Sequence, residues 1–578
     1  MPPRMVRAVA LLTPPALLIT ACATGRVPSQ TVGSQDARDG VRAQAVFGDL
    51  APDAPGCAVG VYRDDQVVLT QGFGLASVED GRRITPRTTF DLGSGSKAFT
   101  ALAVFLLEER GRLALDDDVR RHVPELPDYG TPIRIRDLLQ HTSGLRDYEA
   151  LDALAGRETE TTGQFLALLA SQRRLNFAPG TRHEYSHSDF ALLGVIVERA
   201  AGEPFGAFVE REVLWPLGMR GSRVYDARGP RVPERAFGHA RADSGLRVTF
   251  NRSELVGGSN LYTSVADLFH WHRALAEAAD GRRPLVARLL TRPTLPGGEP
   301  IPYAYGIRQD SYRGLPTLTR GGSSHGTRTE YIRFPGQQFT VAVLCNSAHL
   351  WAGQRAERVA DAYLHQALEP RRARPTPPPA VPITTADLQR YVGAYQSPDG
   401  LDHTRIAVVD GQLVELLGDT AQTFTYRGDG LFSADGIPGD FRLAFAPEAG
   451  EVVRLQFLSE GENDGGAVRL PASAVWRPDA RALAEYAGTY FSDELDAVWR
   501  LAVEDGPLVL RRRGHAAGRL VPTRPDVFSR HFGPWNLPLV ASFAFGRDAA
   551  GAITHFTITT PAGADVVRDL LFVRVPPS

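Results

Sequence analysis

The stretch GSGSKAFTALAVFLLEERG, residues 93–111, organises the long N-terminal part of the chain. Its glycine and serine turn precedes an apolar helical pattern with a stop at Gly111, which predicts a helix starting at about Ser94. The stretch contains Lys97, the one lysine among 64 basic residues. Because a buried ammonium can lose its proton near neutral pH and a guanidinium cannot, Lys97 is a candidate general base. The alternative is that a single lysine is a compositional accident.

Ser94 precedes Lys97 by three residues, so both side chains are predicted to lie on one face of the first helical turn. A serine hydroxyl becomes a strong nucleophile when a neighbouring base takes its proton. The helix N-terminus adds backbone N–H groups that favour developing negative charge. Ser-x-x-Lys therefore predicts a nucleophile beside its base.

Strand patterns enclose this helical region. Residues 56–77 and 329–348 both have the pattern of a hairpin, and the segment between them is largely helical in its apolar periodicity. Strands at both ends of a helical middle favour an α+β fold of the α/β sandwich type.

The composition of the chain changes after residue 368, where prolines become frequent. Residues 369–385 contain six prolines and predict an extended linker. Beyond it, YVGAYQS at Tyr391 returns as YAGTYFS at Tyr486, 95 residues later. Alternating segments bounded by Asp-Gly turns predict two small antiparallel β-barrel-like domains, which resemble the lipocalin-like domains that follow some serine hydrolases. Three roles stay open for these domains: they cover the mouth of an active site, mediate oligomerisation, or space the N-terminal domain from the membrane.

Several motifs follow one another along the chain in an order that is characteristic of one protein family. FDLGSGSKAF is followed by HTSGL at 141–145, FAPGTRHEYSHSDFALLG at 177–194 and VGGSNLYTSVADL at 256–268. From about Pro55 to Ala367 the chain resembles the β-lactamase-related serine hydrolases, which include class C β-lactamases, D-alanyl-D-alanine carboxypeptidases, D-aminopeptidases and family VIII esterases. The resemblance implies a β-lactamase/transpeptidase-like domain at 44–368, followed by β-rich repeats at 386–476 and 481–578.

The resemblance also implies roles for individual residues. The nucleophile falls on Ser94, its lysine on Lys97, and the tyrosine that shares base duty on Tyr185. His187 stands where the family usually has asparagine, and we expect it to take part in substrate binding. Arg320 stands where it usually has lysine or histidine, and we expect its charge to anchor substrate because guanidinium does not shuttle protons. The remaining implied residues are Gly321 and Gly322 in substrate binding, and the backbone N–H groups of Ser94 and Ser323 in the oxyanion hole.

These features predict a serine hydrolase that forms an acyl-enzyme on ester or amide substrates resembling D-amino-acid peptides, peptidoglycan-derived ones included. Efficient β-lactamase activity ranks below esterase or peptidase activity, because two motif positions are replaced. The alternative is a catalytically weak or inactive penicillin-binding-like protein that acts as an envelope binding module. No cofactor or metal is expected, and a net charge of −2 gives no basic field for nucleic acid.

A second serine motif needs separate consideration. Residues 322–326, GSSHG, fit the G-x-S-x-G pattern of the α/β-hydrolase nucleophile elbow. That elbow requires a helix after the turn, and the residues after Gly326 have a strand pattern instead. We therefore place the nucleophile at Ser94.

The N-terminus has the pattern of an export signal. Arg4 and Arg7 precede an apolar stretch broken by prolines, and Ile19-Thr20-Ala21-Cys22 resembles the lipobox of bacterial lipoproteins. We expect residues 1–22 to be a signal, 23–43 a tether, and Cys22 a lipid anchor to a bacterial membrane on the periplasmic side, with plain secretion as the alternative. Cys57 and Cys345 are expected to be inert buried thiols, or a bridge between adjacent strands in an oxidising compartment.

Overall fold

The computed structural model describes residues 34–226, 232–242, 245–249, 251–370, 378–397, 403–417, 420–434, 441–448, 451–459, 462–471, 476–513, 515–532, 539–560 and 566–576. The predicted signal and Cys22 lie outside these residues, as does part of the linker at 369–385. Within the described ranges, no helix combines the length and apolar character that crossing a membrane requires.

The N-terminal domain alternates strands and helices along the chain. Its elements in order are α1 (Ser34–Ala45), β1 (Cys57–Arg63), β2 (Gln66–Phe73), β3 (Leu75–Ser77), β4 (Arg82–Arg83), β5 (Phe90–Asp91), α2 (Lys97–Glu109), α3 (Ile135–Leu139), α4 (Tyr148–Ala155), α5 (Thr162–Ala170), α6 (His187–Ala201), α7 (Phe205–Val209), α8 (Trp215–Leu217), β6 (Arg223–Val224), β7 (Gly238–Ala242), β8 (Gly245–Thr249), β9 (Leu261–Thr263), α9 (Val265–Ala279), α10 (Pro284–Ala287), β10 (Tyr303–Ala304), β11 (Ile307–Tyr312), β12 (Leu315–Ser324), β13 (Thr327–Phe334), β14 (Phe339–Cys345) and α11 (Ala352–Leu364).

A seven-stranded antiparallel sheet lies at the centre of this domain, in the order β10-β11-β12-β13-β14-β1-β2. Successive side chains of a strand point to opposite faces. Val59 and Val343 pack with α1 and α11 on one face, whereas Ala58 and Ala342 pack with the helices on the other. Both faces are covered, which makes β1 and β14 almost continuously apolar. The predicted α/β sandwich is confirmed.

The helices on the second face carry the largest core. Ten residues of α2 are buried, so this helix is apolar nearly all round and lies inside the domain rather than on its surface. It packs against α6, and α9 crosses β1 and β14 beside it. This arrangement holds the turn before α2 against β12, the third strand of the sheet.

Two sequence expectations change with the structure. Residues 34–43 of the expected tether belong to α1, because Ala43 and Phe47 are buried against α11. Cys57 and Cys345 are directly opposite each other in the β1–β14 register and form a disulfide. The default expectation of inert thiols is therefore wrong, and the bridged alternative is the one found.

Two β-rich domains complete the chain. The first begins with α12 (Thr385–Leu388) and is a closed eight-stranded barrel of β15 (Gly393–Gln396), β16 (His403–Val409), β17 (Gln412–Leu417), β18 (Thr420–Gly428), β19 (Leu431–Ala434), β20 (Arg442–Glu448), β21 (Glu451–Ser459) and β22 (Glu462–Arg469). The second begins with α13 (Ala480–Ala484) and is a nine-stranded sheet of β23 (Gly488–Ser492), β24 (Ala497–Val503), β25 (Leu508–Arg512), β26 (Gly518–Arg519), β27 (Val521–Arg524), β28 (Val527–Phe532), β29 (Leu539–Arg547), β30 (Ile553–Thr559) and β31 (Leu570–Val575). We call them the first and the second barrel.

The two barrels share internal contacts as well as sequence. The hydroxyl of Tyr395 donates to the carbonyl of Tyr391 at 2.8 Å, and Tyr490 repeats this bond to Tyr486 at 2.9 Å. Arg469 donates to the carbonyls of Val392 and Val452, while Arg574 donates to those of Ala487 and Ile553. Each tyrosine and arginine fixes the first strand of its barrel, which explains why the sequence repeat retains them.

Candidate active site

The turn before α2 sets the position of the proposed nucleophile. Residues Gly93–Ser96 form a 3₁₀ turn and the α-helix begins at Lys97, three residues later than predicted. Gly93 has φ +55°, and a Cβ there would lie 2.8 Å from the backbone nitrogen of Ser323. This close approach brings β12 against the turn. In a 3₁₀ turn residues i and i+3 are nearly eclipsed, so Ser94 and Lys97 still meet.

Three polar groups converge on this turn. The ammonium of Lys97 donates to Ser94 Oγ at 3.2 Å and to the carbonyl of Gly258 at 2.9 Å. Ser94 Oγ lies 2.9 Å from the hydroxyl of Tyr185, which lies two residues before α6. Residues from three distant parts of the chain therefore form one hydrogen-bonded cluster.

Arg320 of β12 completes the cluster from the sheet side. Its Nε donates to the Ser94 carbonyl at 3.0 Å and its Nη2 to the Tyr185 hydroxyl at 2.9 Å. The guanidinium also lies 4.7 Å from the ring centre of Tyr303. The anchoring of substrate by Arg320 stays a prediction. The structure adds a role within the cluster, because two of the guanidinium donors point at Ser94 and Tyr185.

The charges of the cluster favour proton transfer near neutral pH. Burial lowers the pKa of Lys97, whose side chain is wholly inaccessible, and the neighbouring Arg320 lowers it further. Burial by itself opposes ionisation of Tyr185. The positive charges of Lys97, Arg320 and His187 outweigh that effect and lower the pKa of Tyr185 to about 7. A phenol with this pKa can act as a base at neutral pH and then return the proton.

The two glycines assigned to substrate binding face opposite sides of β12. A Cβ at Gly322 would lie 2.0 Å from the Leu92 carbonyl oxygen. Gly322 therefore packs against the start of the turn Gly93–Ser96, which we call the nucleophile turn. A Cβ at Gly321 would lie 2.8 Å from a carboxylate oxygen of Glu330, on the other face of the sheet. Their contribution to substrate binding stays a prediction, and so does the pairing of the Ser94 and Ser323 N–H groups in an oxyanion hole.

His187 carries a positive charge at the rim of the site. Its Nδ1 lies 3.1 Å from an Asp147 carboxylate oxygen and 4.0 Å from Glu149. Burial opposes the charge, but Glu149 and Asp147 reverse the effect and raise the pKa of His187 well above its usual value. An asparagine at this position would be neutral, so histidine adds a cation next to Tyr185, with the ring centres 5.2 Å apart.

His141, the first residue of HTSGL, packs directly against the ring of Tyr185. Its ring centre is 4.5 Å from that of Tyr185, and its Nδ1 is 2.9 Å from an Asp189 oxygen. Burial lowers the pKa of His141 well below its usual value. The neutral imidazole supports Tyr185 by packing, and its φ of +55° shows the tight turn that places it there.

The second barrel binds the segments that carry these residues, which sequence reasoning did not reveal. Arg146, next to Asp147, pairs with Glu494 of the second barrel. Arg568 pairs with Glu184, next to Tyr185, and its backbone N–H donates to Asn176. Arginine and glutamate are common at any surface, so no signal in the sequence marks these partners.

The second serine motif is not a nucleophile elbow. Ser324 ends β12 and β13 follows directly at Thr327, so the turn leads into a strand and not a helix. The Ser324 hydroxyl donates to Asp91 at 2.6 Å. Within the described part of the chain, no three His, Cys, Asp or Glu side chains are grouped as metal ligands.

Comparison with known proteins agrees with this geometry. The sequence model of the family named Beta-lactamase matches residues 43–366. The chain is 30% identical over 330 residues to a D-aminopeptidase of Gluconobacter oxydans, covering 56% of this chain but only 61% of that protein. It is 26% identical over 539 residues to a D-aminopeptidase of Brucella melitensis, covering 87% of this chain and 93% of that protein.

A solved structure shares the fold. The octameric penicillin-binding protein homologue from Pyrococcus abyssi superposes with a TM-score of 0.51 at 22% identity, covering 76% of this chain and all of that one. The family match spans more than half of the chain and contains the whole hydrogen-bonded cluster. The chain therefore belongs to the Beta-lactamase family and is a serine hydrolase.

Proposed function

We propose that this protein forms an acyl-enzyme at Ser94 and removes D-amino acids from the amino end of peptides and amides. The observation that carries the proposal is the cluster of Ser94, Lys97 and Tyr185, with Ser94 Oγ within 3.2 Å of both partners. The D-aminopeptidase of Brucella melitensis, which matches 87% of the chain, supports the substrate class. Esters undergo the same acyl transfer and serve as reagents for it.

In the first half of the reaction, Ser94 Oγ attacks the carbonyl carbon of the substrate and its proton passes to the Lys97–Tyr185 pair. Tyr185 is the acceptor, since its pKa is about 7. The carbonyl oxygen becomes negatively charged and is bound by the N–H groups of Ser94 and Ser323. Tyr185 then protonates the leaving nitrogen as its bond to carbon breaks.

In the second half, water attacks the acyl-enzyme. Tyr185 takes a proton from the water molecule while the water oxygen forms a bond to the carbonyl carbon. The bond to Ser94 Oγ breaks and the serine recovers its proton, which releases the acid. Arg320 and Lys97 hold the phenol oxygen and Ser94 in place through both halves.

The exposed carboxylate at the rim of the cluster favours a substrate with a free amino group. Glu149 lies at the rim with about half of its side chain exposed, and its negative charge also acts on Lys97. Arg320, the cation that would bind a substrate carboxylate, already donates to Ser94 and Tyr185. We therefore assign Glu149 to the substrate ammonium.

The test compares D-alanine p-nitroanilide with its L-enantiomer and its N-acetylated form, following turnover and intact protein mass. We expect D over L, little turnover of the acetylated form, and a raised KM for the free-amine substrate in Glu149→Gln. Ser94→Ala should abolish turnover and adduct, while Ser324→Ala, the matched serine of GSSHG, should retain both. Equal turnover in Ser94→Ala would refute the mechanism. A folded protein with neither turnover nor adduct would favour the alternative, an envelope binding module.

We further propose export and lipid anchoring at Cys22. Support comes from the lipobox-like residues 19–22 and from the Cys57–Cys345 disulfide, since disulfides persist mainly in oxidising compartments. Labelled palmitate should enter the wild type in a bacterial host and not Cys22→Ala. Equal labelling of the two would contradict the anchor.

A further inference from the structure

A large cleft separates the two barrels, away from the proposed active site. It has a volume of about 1360 Å³ and is lined by residues of both barrels and of the segment that joins them. Its lining residues include five arginines. Within the described part of the chain, none of the lining residues is an aspartate or a glutamate. We call it the arginine cleft, after Arg390, Arg405, Arg469, Arg477 and Arg519.

The hydrogen bonds of Arg405 and Arg469 leave the charges of these two arginines uncompensated. Arg405 donates to the carbonyl of Pro522, and Arg469 to the carbonyls of Val392 and Val452, all neutral acceptors. Burial and the charge of Arg477 lower the pKa of Arg405, so the two cations repel each other. Among the described residues, Arg390 and Arg477 have no hydrogen bond or ion pair, and Arg390 lies only against the ring of Tyr391.

Other arginines of the second barrel are neutralised within the protein. Arg511 binds Glu504 through two hydrogen bonds, and Arg547 pairs with both Asp526 and Glu485. The second barrel therefore carries carboxylates that neutralise arginines, whereas none lines the described part of the cleft.

Comparing the two sequence repeats distinguishes a cleft arginine that stabilises the barrel from one that does not. Arg574 is the counterpart of Arg469 and makes the same kind of carbonyl bonds, so this position serves the barrel. Arg500, 95 residues after Arg405, is its counterpart in β24 and is exposed outside the cleft. The repeat therefore does not account for the charge that Arg405 adds to the cleft.

We propose that the arginine cleft binds an oligomeric anion that carries several phosphate or carboxylate groups. A guanidinium presents paired N–H donors that match the oxygens of either group. The cleft is larger than the roughly 300–1,000 Å³ of common small-molecule pockets, which favours a chain of charged units over a single one. Arg390, Arg405 and Arg477 supply the charge, while Arg469 mainly holds the barrel.

The test measures binding of tripolyphosphate and of triglutamate to the full chain by calorimetry, at low and at high salt. We compare Arg390→Gln/Arg477→Gln with Arg292→Gln/Arg500→Gln, which removes the same charge outside the cleft. Neither pair contains a hydrogen-bonded arginine, so both variants should fold and keep wild-type hydrolase activity.

We expect salt-sensitive binding that weakens by about tenfold or more in the cleft variant and stays within about twofold in the control. Binding of tripolyphosphate alone identifies a phosphate-bearing ligand, and binding of triglutamate alone a carboxylate-bearing one. Binding of both shows that the oxyanion is sufficient. Binding of neither probe, or equal weakening in both variants, would overturn the proposal.

Discussion

Glu494 of the second barrel forms an ion pair with Arg146, one residue before the Asp147 that binds His187. The Arg146 side chain is fully buried and that of Glu494 is 7% exposed, so the pair is almost completely removed from water. The same carboxylate accepts the backbone N–H of Arg173 at 2.7 Å. The second barrel is thus linked by one carboxylate to the segment that sets the charge at the rim of the active site.

Glu494→Gln should break the ion pair that joins the second barrel to Arg146. Removing one partner of a buried pair leaves a charge without compensation, so we expect a loss of about 3 kcal/mol in the free energy of unfolding, measured with urea. The kcat for D-alanine p-nitroanilide should fall with it. Glu485→Gln breaks an exposed pair of the same barrel and should cost less than about 1 kcal/mol with unchanged kcat. Similar effects of the two changes would show that the buried pair has no special role.

Arg320→Gln should move the pH dependence of the hydrolase. The guanidinium helps to lower the pKa of Tyr185 to about 7, and in the proposed mechanism the ionised phenol is the active form. Activity therefore rises as pH increases through this pKa. Loss of the cation should shift the rise of kcat/KM upward by about one pH unit or more, and Arg320→Lys, which keeps the charge, should shift it less. An unmoved profile in Arg320→Gln would exclude this influence on Tyr185.

The single lysine permits a direct measurement of its protonation. Protein grown with ¹³C-labelled lysine should give one set of side-chain signals, all from Lys97. Because burial disfavours the ammonium, we expect it to titrate below its ordinary pKa of 10.5. Unfolding in urea should restore the ordinary value and serves as the reference. A folded-state titration at or above 10.5 would contradict the environment described for Lys97.

Alanine substitutions in the adjacent glycines of β12 should have unequal effects. In Gly322→Ala the new Cβ meets the backbone oxygen of Leu92 at 2.0 Å, so β12 or the nucleophile turn must move. We expect kcat/KM to fall by about a hundredfold or more, as misplacement of reacting groups does. Gly321→Ala meets the movable carboxylate of Glu330 and should keep most activity. Thermal melting of both variants separates misplacement from unfolding.

Much of the fold was accessible from patterns of residues. The helical period that begins at about Ser94 and the hairpins at 56–77 and 329–348 predicted the sandwich, because burial on a helix or strand imposes a fixed spacing of apolar side chains. The repeat at Tyr391 and Tyr486 predicted two similar β-rich domains for the same reason. The tether was partly mispredicted, since α1 packs its apolar residues against α11, which lies about 300 positions away in the sequence.

The catalytic cluster was accessible only in part. Ser94 and Lys97 are neighbours in sequence, so their contact follows from local geometry. The hydrogen bonds of Arg320 to Ser94 and Tyr185 join residues more than a hundred positions apart, and residue spacing alone does not reveal them.

The amino-acid order alone was therefore enough to predict the type of fold and the Ser-x-x-Lys pair, since both depend on side chains a few residues apart. It also predicted the two barrels, because their sequences repeat. Packing in three dimensions fixed the rest. It lowered the pKa values of Lys97 and Tyr185, closed the Cys57–Cys345 bridge and, among the residues that the structure describes, left no carboxylate in the lining of the arginine cleft. These properties depend on burial and on charges brought close by chain folding, and neither quantity is a function of local sequence.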